Sequence, residues 1–153
     1  MTTASSAFVY NQVVQPNLVR TTLTSAVEPT TITSVAATGT ITYEINSQSV
    51  LYSTASAAAN WTLNITFSKG QALNSYLAVG QSITLAFLVT QGATAYYNNV
   101  LQIDGATTGV TARWLGGAPT AGNASGIDSY RYLVIKTADR TFTVVASNTQ
   151  FKA

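Results

Sequence analysis

Gly80-Gln81-Ser82-Ile83-Thr84-Leu85-Ala86-Phe87-Leu88-Val89-Thr90-Gln91-Gly92 is the stretch whose reading decides the fold. Ile83, Leu85, Phe87 and Val89 alternate with Ser82, Thr84, Ala86 and Thr90, and Leu88 is the one large apolar residue on the second face. Period-two alternation puts one set of side chains in a core and the other set outside, so the segment predicts a central β-strand.

Working outward, Trp61, Leu63, Ile65 and Phe67 alternate with Thr62, Asn64 and Thr66, the cleanest such pattern in the chain and a second core strand. Ile41, Tyr43 and Ile45 share one face of a strand over 40–46, and Ser49 to Thr54 continues after the Asn46-Ser47-Gln48 turn, so these two are expected to pair as a hairpin. Ala55 to Ala59 reads as a loop or one helical turn, and Leu73, Tyr76 and Leu77 fall at helical spacing between Gln71 and Val79. Strands are predicted over 97–104 and 110–115 around the Asp104-Gly105 turn. A final pair is expected over 129–136 and 141–147, with Tyr130, Tyr132 and Val134 facing Phe142 and Val144. Residues 116–126 hold little but glycine, proline and small residues, which makes them a surface loop. About eight short strands at this spacing describe an all-β fold, a β-sandwich or jelly roll over 31–153.

The 153-residue chain is long enough for one domain with a core and short for two. Only 8% of its residues are charged, against roughly a quarter in an average soluble protein. Its surface is therefore hydroxyl and amide, which suits a protein held in an assembly or in salty surroundings that screen charge within about a Debye length. The net charge of +2 comes from seven basic and five acidic residues with no run of like charge, so phosphate neutralisation on a nucleic acid is not supported. No cysteine or histidine is present, which removes disulfides, thiol and Ser-His nucleophiles and the usual zinc ligands. No cofactor or metal is expected. The start of the chain lacks a basic and then apolar leader, and no segment approaches the ~18 apolar residues of a membrane span, so synthesis in the cytoplasm without membrane insertion is expected.

Residues 1–30 differ from the rest. They are rich in Thr and Val, charged only at Arg20 and Glu28, and punctuated by Pro16 and Pro29. Two forms stay open, an edge strand or two on the same domain and an extended arm along a neighbouring subunit. Phe8, Val9, Tyr10, Val13, Val14 and Leu18 make the segment apolar enough that it should be covered, which marks them as assembly contacts.

For chemistry, the chain offers Glu28, Glu44, Asp104, Asp128 and Asp139. The three aspartates sit at turns or strand starts, where the side chain substitutes for backbone, although a paired-carboxylate glycosidase needs only proximity in space. The glycines of 116–126 do not form a phosphate loop, because neither a GxxxxGK[ST] nor a strand-GxGxxG-helix order is present. Tyr96, Tyr97, Trp114 and Asn123 form the candidate ligand surface, a platform for stacking sugars; aromatics at strand spacing equally fill a core or an interface. Three Asn-x-Ser/Thr matches follow from the high content of those residues.

The run from Leu73 to Gly105, then Trp114, Gly116-Gly117-Ala118-Pro119-Thr120-Ala121-Gly122-Asn123, Ile127-Asp128-Ser129-Tyr130, Thr141-Phe142-Thr143-Val144-Val145-Ala146-Ser147 and Phe151 together resemble a module of virion structural proteins from marine tailed phages, including those of cyanobacteria. The resemblance covers residues 73–152 and carries no catalytic residues. It implies a particle component without enzymatic activity: a capsid decoration or head-fibre protein contacting the major capsid protein or other virion proteins, or a tail- or neck-fibre component with a receptor- or glycan-binding tip. With exposed strand edges to cover, a homo-oligomer is expected, a trimer ahead of a dimer.

Overall fold

The computed structural model describes residues 27–152. Nine strands and one helical turn follow in order: β1 (Thr30–Thr33), β2 (Gly39–Glu44), β3 (Val50–Ser53), β4 (Trp61–Thr66), α1 (Leu73–Tyr76), β5 (Ser82–Gln91), β6 (Asn98–Ile103), β7 (Val110–Trp114), β8 (Gly126–Ala138) and β9 (Thr141–Phe151). The all-β expectation therefore holds, and both strands read from alternation are where they were placed. β5 lies inside a six-stranded sheet ordered β1-β3-β5-β8-β9-β7, and β4 is the middle of a three-stranded sheet ordered β2-β4-β6.

β2 and β3 are not a hairpin, because successive strands from β1 to β6 alternate between the two sheets. Each strand consequently lies beside the strand two positions on in sequence, and the pairs β1/β3, β3/β5, β2/β4 and β4/β6 are all parallel. A parallel neighbour needs a crossover, and here a strand of the opposite sheet supplies it in place of a helix. β6 and β7 are likewise in different sheets, so Asp104-Gly105 turns the chain between sheets and not within one. Among the described strands only β5/β8 and β8/β9 are antiparallel, and β7/β9 is a further parallel pair. A jelly roll is built from antiparallel neighbours, so that connectivity does not describe this chain.

The final hairpin forms and is longer than its alternation implied; of the expected cross-strand partners only Val134 and Val144 stand opposite, while Tyr132 faces Ala146, Tyr130 faces Asn148 and Phe142 faces Lys136, because the tight two-residue turn sets a register that alternation does not report. Ala55–Ala59 is loop, and the helical turn forms with Leu73 and Leu77 buried. The arm assigned to 1–30, with Phe8, Val9, Tyr10, Val13, Val14 and Leu18, lies outside the described residues except at 27–30. There Thr30 already belongs to β1, and the Pro29 carbonyl accepts from Ser49 N at 2.9 Å.

The core lies between the inward faces of the two sheets. Trp61, Leu63 and Ile65 of β4 are fully buried, as are Tyr43 of β2, Phe87 and Val89 of β5, and Tyr130, Tyr132 and Val134 of β8. The Trp61 ring meets Phe87 edge-on at 6.0 Å between centroids and Tyr130 at 5.4 Å, which joins the small sheet to the large one. Trp61 Nε1 finds no hydrogen-bond acceptor among the described residues, so this ring contributes through area and edge-to-face geometry.

Burial disfavours phenolate, and it holds Tyr43, Tyr130 and Tyr132 well above the ordinary tyrosine value of 10.0; for Tyr130 the Asp128 carboxylate adds to the effect. A folded-state value raised above the unfolded one contributes stability that is complete below about pH 10 and declines as pH rises beyond it, because only the unfolded chain releases those protons. In an ultraviolet titration, these three of the eight tyrosines should ionise only together with loss of near-UV circular dichroism. Ionisation of all eight with the native spectrum intact would contradict this packing.

Candidate functional site

The candidate residues meet at one end of the molecule, where the chain leaves β5, enters β6 and later loops between β7 and β8. β5 presents Gln91 in phase with Leu85, Phe87 and Val89, so an amide arrives in the interior instead of an apolar group. Its Oε1 accepts from Tyr96 N at 3.1 Å and its Nε2 donates to Tyr96 O at 2.7 Å, the two bonds a neighbouring strand would make. Gln91 Nε2 also donates to Asp128 Oδ2 at 3.1 Å.

Asp128 is fully buried, and its charge is met by neutral donors. Asn123 supplies two of them, its backbone N–H to Oδ2 at 3.2 Å and its Nδ2 to Oδ1 at 2.7 Å. Asn123 thus turns its amide nitrogen inward to hold the 116–126 loop, and is a fastener for that loop. Gly122, beside it, runs so close to the Tyr96 backbone that a Cβ would overlap the Tyr96 carbonyl oxygen.

Trp114 divides its surface. One part packs edge-on against Tyr130 at 6.3 Å and Tyr132 at 5.8 Å, so the ring is a wall of the interior. The rest lines a cleft of about 310 Å³ together with Tyr97, Asn99, Leu101 and Pro119. On its other side Trp114 borders a shallower cleft of about 230 Å³ with Pro119, Asn123 and Asn148. The structure therefore brings Tyr97 and Trp114 to one cleft and Trp114 and Asn123 to the other, while Tyr96 is packed against the core and lines neither. Such volumes fall at or below the small end of ligand pockets, room for about one sugar ring.

A second polar cluster stands where α1, the β6–β7 turn and the β8–β9 hairpin meet. Asp104 takes up positive φ (52°) and accepts from Leu73 N at 2.7 Å, Asn74 N at 2.9 Å and Thr66 Oγ1 at 3.1 Å. Asn74 extends the cluster, donating from Nδ2 to Asp139 Oδ1 at 2.9 Å and accepting from Arg140 N at 2.8 Å. Lys136, buried in phase with Tyr132 and Val134, donates to the carbonyls of Asn74 at 2.5 Å and Leu77 at 2.9 Å. A cavity of about 500 Å³ adjoins the cluster, with Asn74, Asp104, Thr108 and Arg140 on its polar side and Ile103 and Phe142 on its apolar side.

Asp104 and Asp139 lie at turns and Asp128 near a strand start, as their sequence context implies, whereas Gln91, Asn98, Asn74 and Lys136 are site residues that alternation and turn signals do not name. Gln91 and Lys136 did carry a signal, since each is a polar residue at a core phase of an alternating strand. Asn98 lies at a register shift in the β4/β6 ladder, where its Nδ2 donates to Trp61 O and its Oδ1 accepts from Tyr132 OH across the core. Asn74 had no signal, because the partners of its side chain are more than 60 residues away.

No group of three or more acidic residues able to hold a metal ion stands together among the described residues, and no described helix is long and apolar enough to cross a membrane. Comparison with protein-family models, with curated proteins and with solved structures found no match for the chain.

Replacing Asp128 by Ala leaves the Asn123 and Gln91 donors unpaired, at a cost of about 1–3 kcal/mol. Hydrogen exchange should accelerate at amides 121–125 in that variant while the β8/β9 ladder away from residue 128 stays protected. Unchanged exchange in the loop would show that Asp128 does not hold it.

Proposed function

We propose that this chain is a structural component of a phage virion, a capsid decoration or head-fibre protein that joins the particle through its N-terminal arm and its subunit interfaces. The observation that carries this reading is the use made of the aspartates. Asp104 and Asp128 each accept three internal hydrogen bonds, and Asp139 is tied to Asn74. A general acid or base must exchange its proton with a substrate, and these carboxylates are engaged in fastening loops. The body is a two-sheet sandwich closed by neutral amides and hydroxyls, well suited to close repetition where salt weakens ion pairs and leaves apolar burial intact. The likeness of residues 73–152 to virion modules points the same way, and a homotrimer with the major capsid protein as its neighbour is the assembly this reading favours. Replacing Phe8, Val9, Tyr10, Val13, Val14 and Leu18 together by Ser in the full chain should abolish incorporation into particles while circular dichroism stays native. Full incorporation of that variant would refute attachment through the arm.

The cleft shared by Tyr97 and Trp114 favours a second reading, a tail- or neck-fibre tip that recognises a glycan. Trp114 is a poor probe, since its removal also strips Tyr130 and Tyr132 of a neighbour. Tyr97 lines the cleft without those ring contacts. On a glycan array, binding by the wild-type chain that falls at least tenfold in Tyr97→Ala would support the tip; equal binding, or none by either protein, would remove it.

A further inference from the structure

The outer faces of the two sheets differ in how many large apolar side chains they carry. On the three-stranded sheet, the outward rows are Thr40–Thr62–Val100, Thr42–Asn64–Gln102 and Glu44–Thr66, which apart from Val100 are hydroxyls, amides and a carboxylate that water solvates well. On the six-stranded sheet, Ile32, Tyr52 and Leu88 stand side by side across three strands, and Leu133 faces Val145 across two more. Ile32, Leu133 and Val145 are 69%, 36% and 47% exposed, and two arginines, 113 and 131, interrupt the face. Ser129, Thr149 and Ser147 stand in the rows between these two apolar groups, and each group is a place where the apolar side chains of a partner could be buried.

The chain itself carries a segment of matching chemistry. Residues 1–19 have no charged side chain and include Phe8, Val9, Tyr10, Val13, Val14, Leu18 and Val19. The direction of exit decides whose face they reach. The Pro29 carbonyl is still bonded to Ser49 N, Val27 is 91% exposed, and proline holds the preceding Glu28 extended, so the chain departs along the line of β1. Residues 20–28 contain no glycine, asparagine, aspartate or proline to reverse it. Nine residues can span at most ~30 Å, about twice the ~14 Å radius of gyration expected for a domain of this size. We infer that residues 8–19 of one copy cover the outer face of the six-stranded sheet of a second copy. The inference rests on the assembly reading above, and names the surface that receives the arm.

The test uses the purified full chain with p-benzoylphenylalanine in place of Val13, prepared in light and heavy isotope forms and co-refolded. Photocrosslinks identified by mass spectrometry should join position 13 of a light copy to β3, β5, β8 or β9 of a heavy one. Adding Leu133→Asp and Val145→Asp, both on exposed positions, should reduce those mixed crosslinks at least tenfold with the circular dichroism unchanged. Crosslinks confined within single copies, crosslinks to β2 or β4, no crosslinks, or insensitivity to the two aspartates would each overturn the inference. Because no particle is present, loss of the protein from virions would count against the virion reading alone and leave this result standing.

Discussion

The Trp61 ring, set edge-on between Phe87 and Tyr130, is the contact on which the rest of the structure depends. Nothing in the ladders of hydrogen bonds ties the three-stranded sheet to the six-stranded one, since every ladder runs within a sheet. The two layers are held by side chains, above all by this aromatic group and by Asn98, whose amide links β6 to Tyr132 across the core. Edge-to-face rings contribute roughly 0.5–1.5 kcal/mol beyond their buried area, and the area itself is the larger part. Around the cluster the smaller residues Val89, Val134 and Val144 fill the remaining space without polar groups to satisfy.

Joining the layers this way permits the alternation of strands between them. When each strand is followed by one in the opposite sheet, its in-sheet neighbour is two strands away in sequence and runs parallel. The hydrophobic pattern of a strand reports which of its faces is buried, and that reading held for β4 and β5. It says nothing of which strand lies alongside, because a hairpin partner and a partner one coil later bury the same alternate residues. The turns were no better guide: Asn46-Ser47-Gln48 and Asp104-Gly105 are tight turns, yet each leads the chain to the other sheet. Only the last hairpin, whose strands are long and joined by two residues, could be paired correctly from local signals.

The candidate surface was legible in composition and not in geometry. Tyr97 and Trp114 do share a cleft, whereas Asn123 turned out to hold its own loop by way of Asp128 and Tyr96 to be clamped by Gln91. What sequence could have offered was the phase error: a glutamine after Leu85, Phe87 and Val89, and a lysine after Tyr132 and Val134, are buried polar groups that must find partners. Their partners, a loop backbone and the carbonyls of a single helical turn, come from elsewhere in the chain and become visible only when it folds.

Scarcity of charge explains why those partners are neutral. With five carboxylates in the chain, an ion pair for each would consume most of the available cations and leave the pairs open to screening by salt. Asp104 and Asp128 instead take backbone and amide N–H groups, and Lys136 takes carbonyls, so each charge is stabilised by dipoles fixed in the fold. Such bonds are short-range and shielded from solvent, hence indifferent to ionic strength in a way that surface ion pairs are not. The exterior is thereby freed from supplying counter-charges. The three-stranded sheet can therefore face water largely with threonine, asparagine and glutamine, while the six-stranded sheet carries Ile32, Leu133 and Val145 outward among serines and threonines.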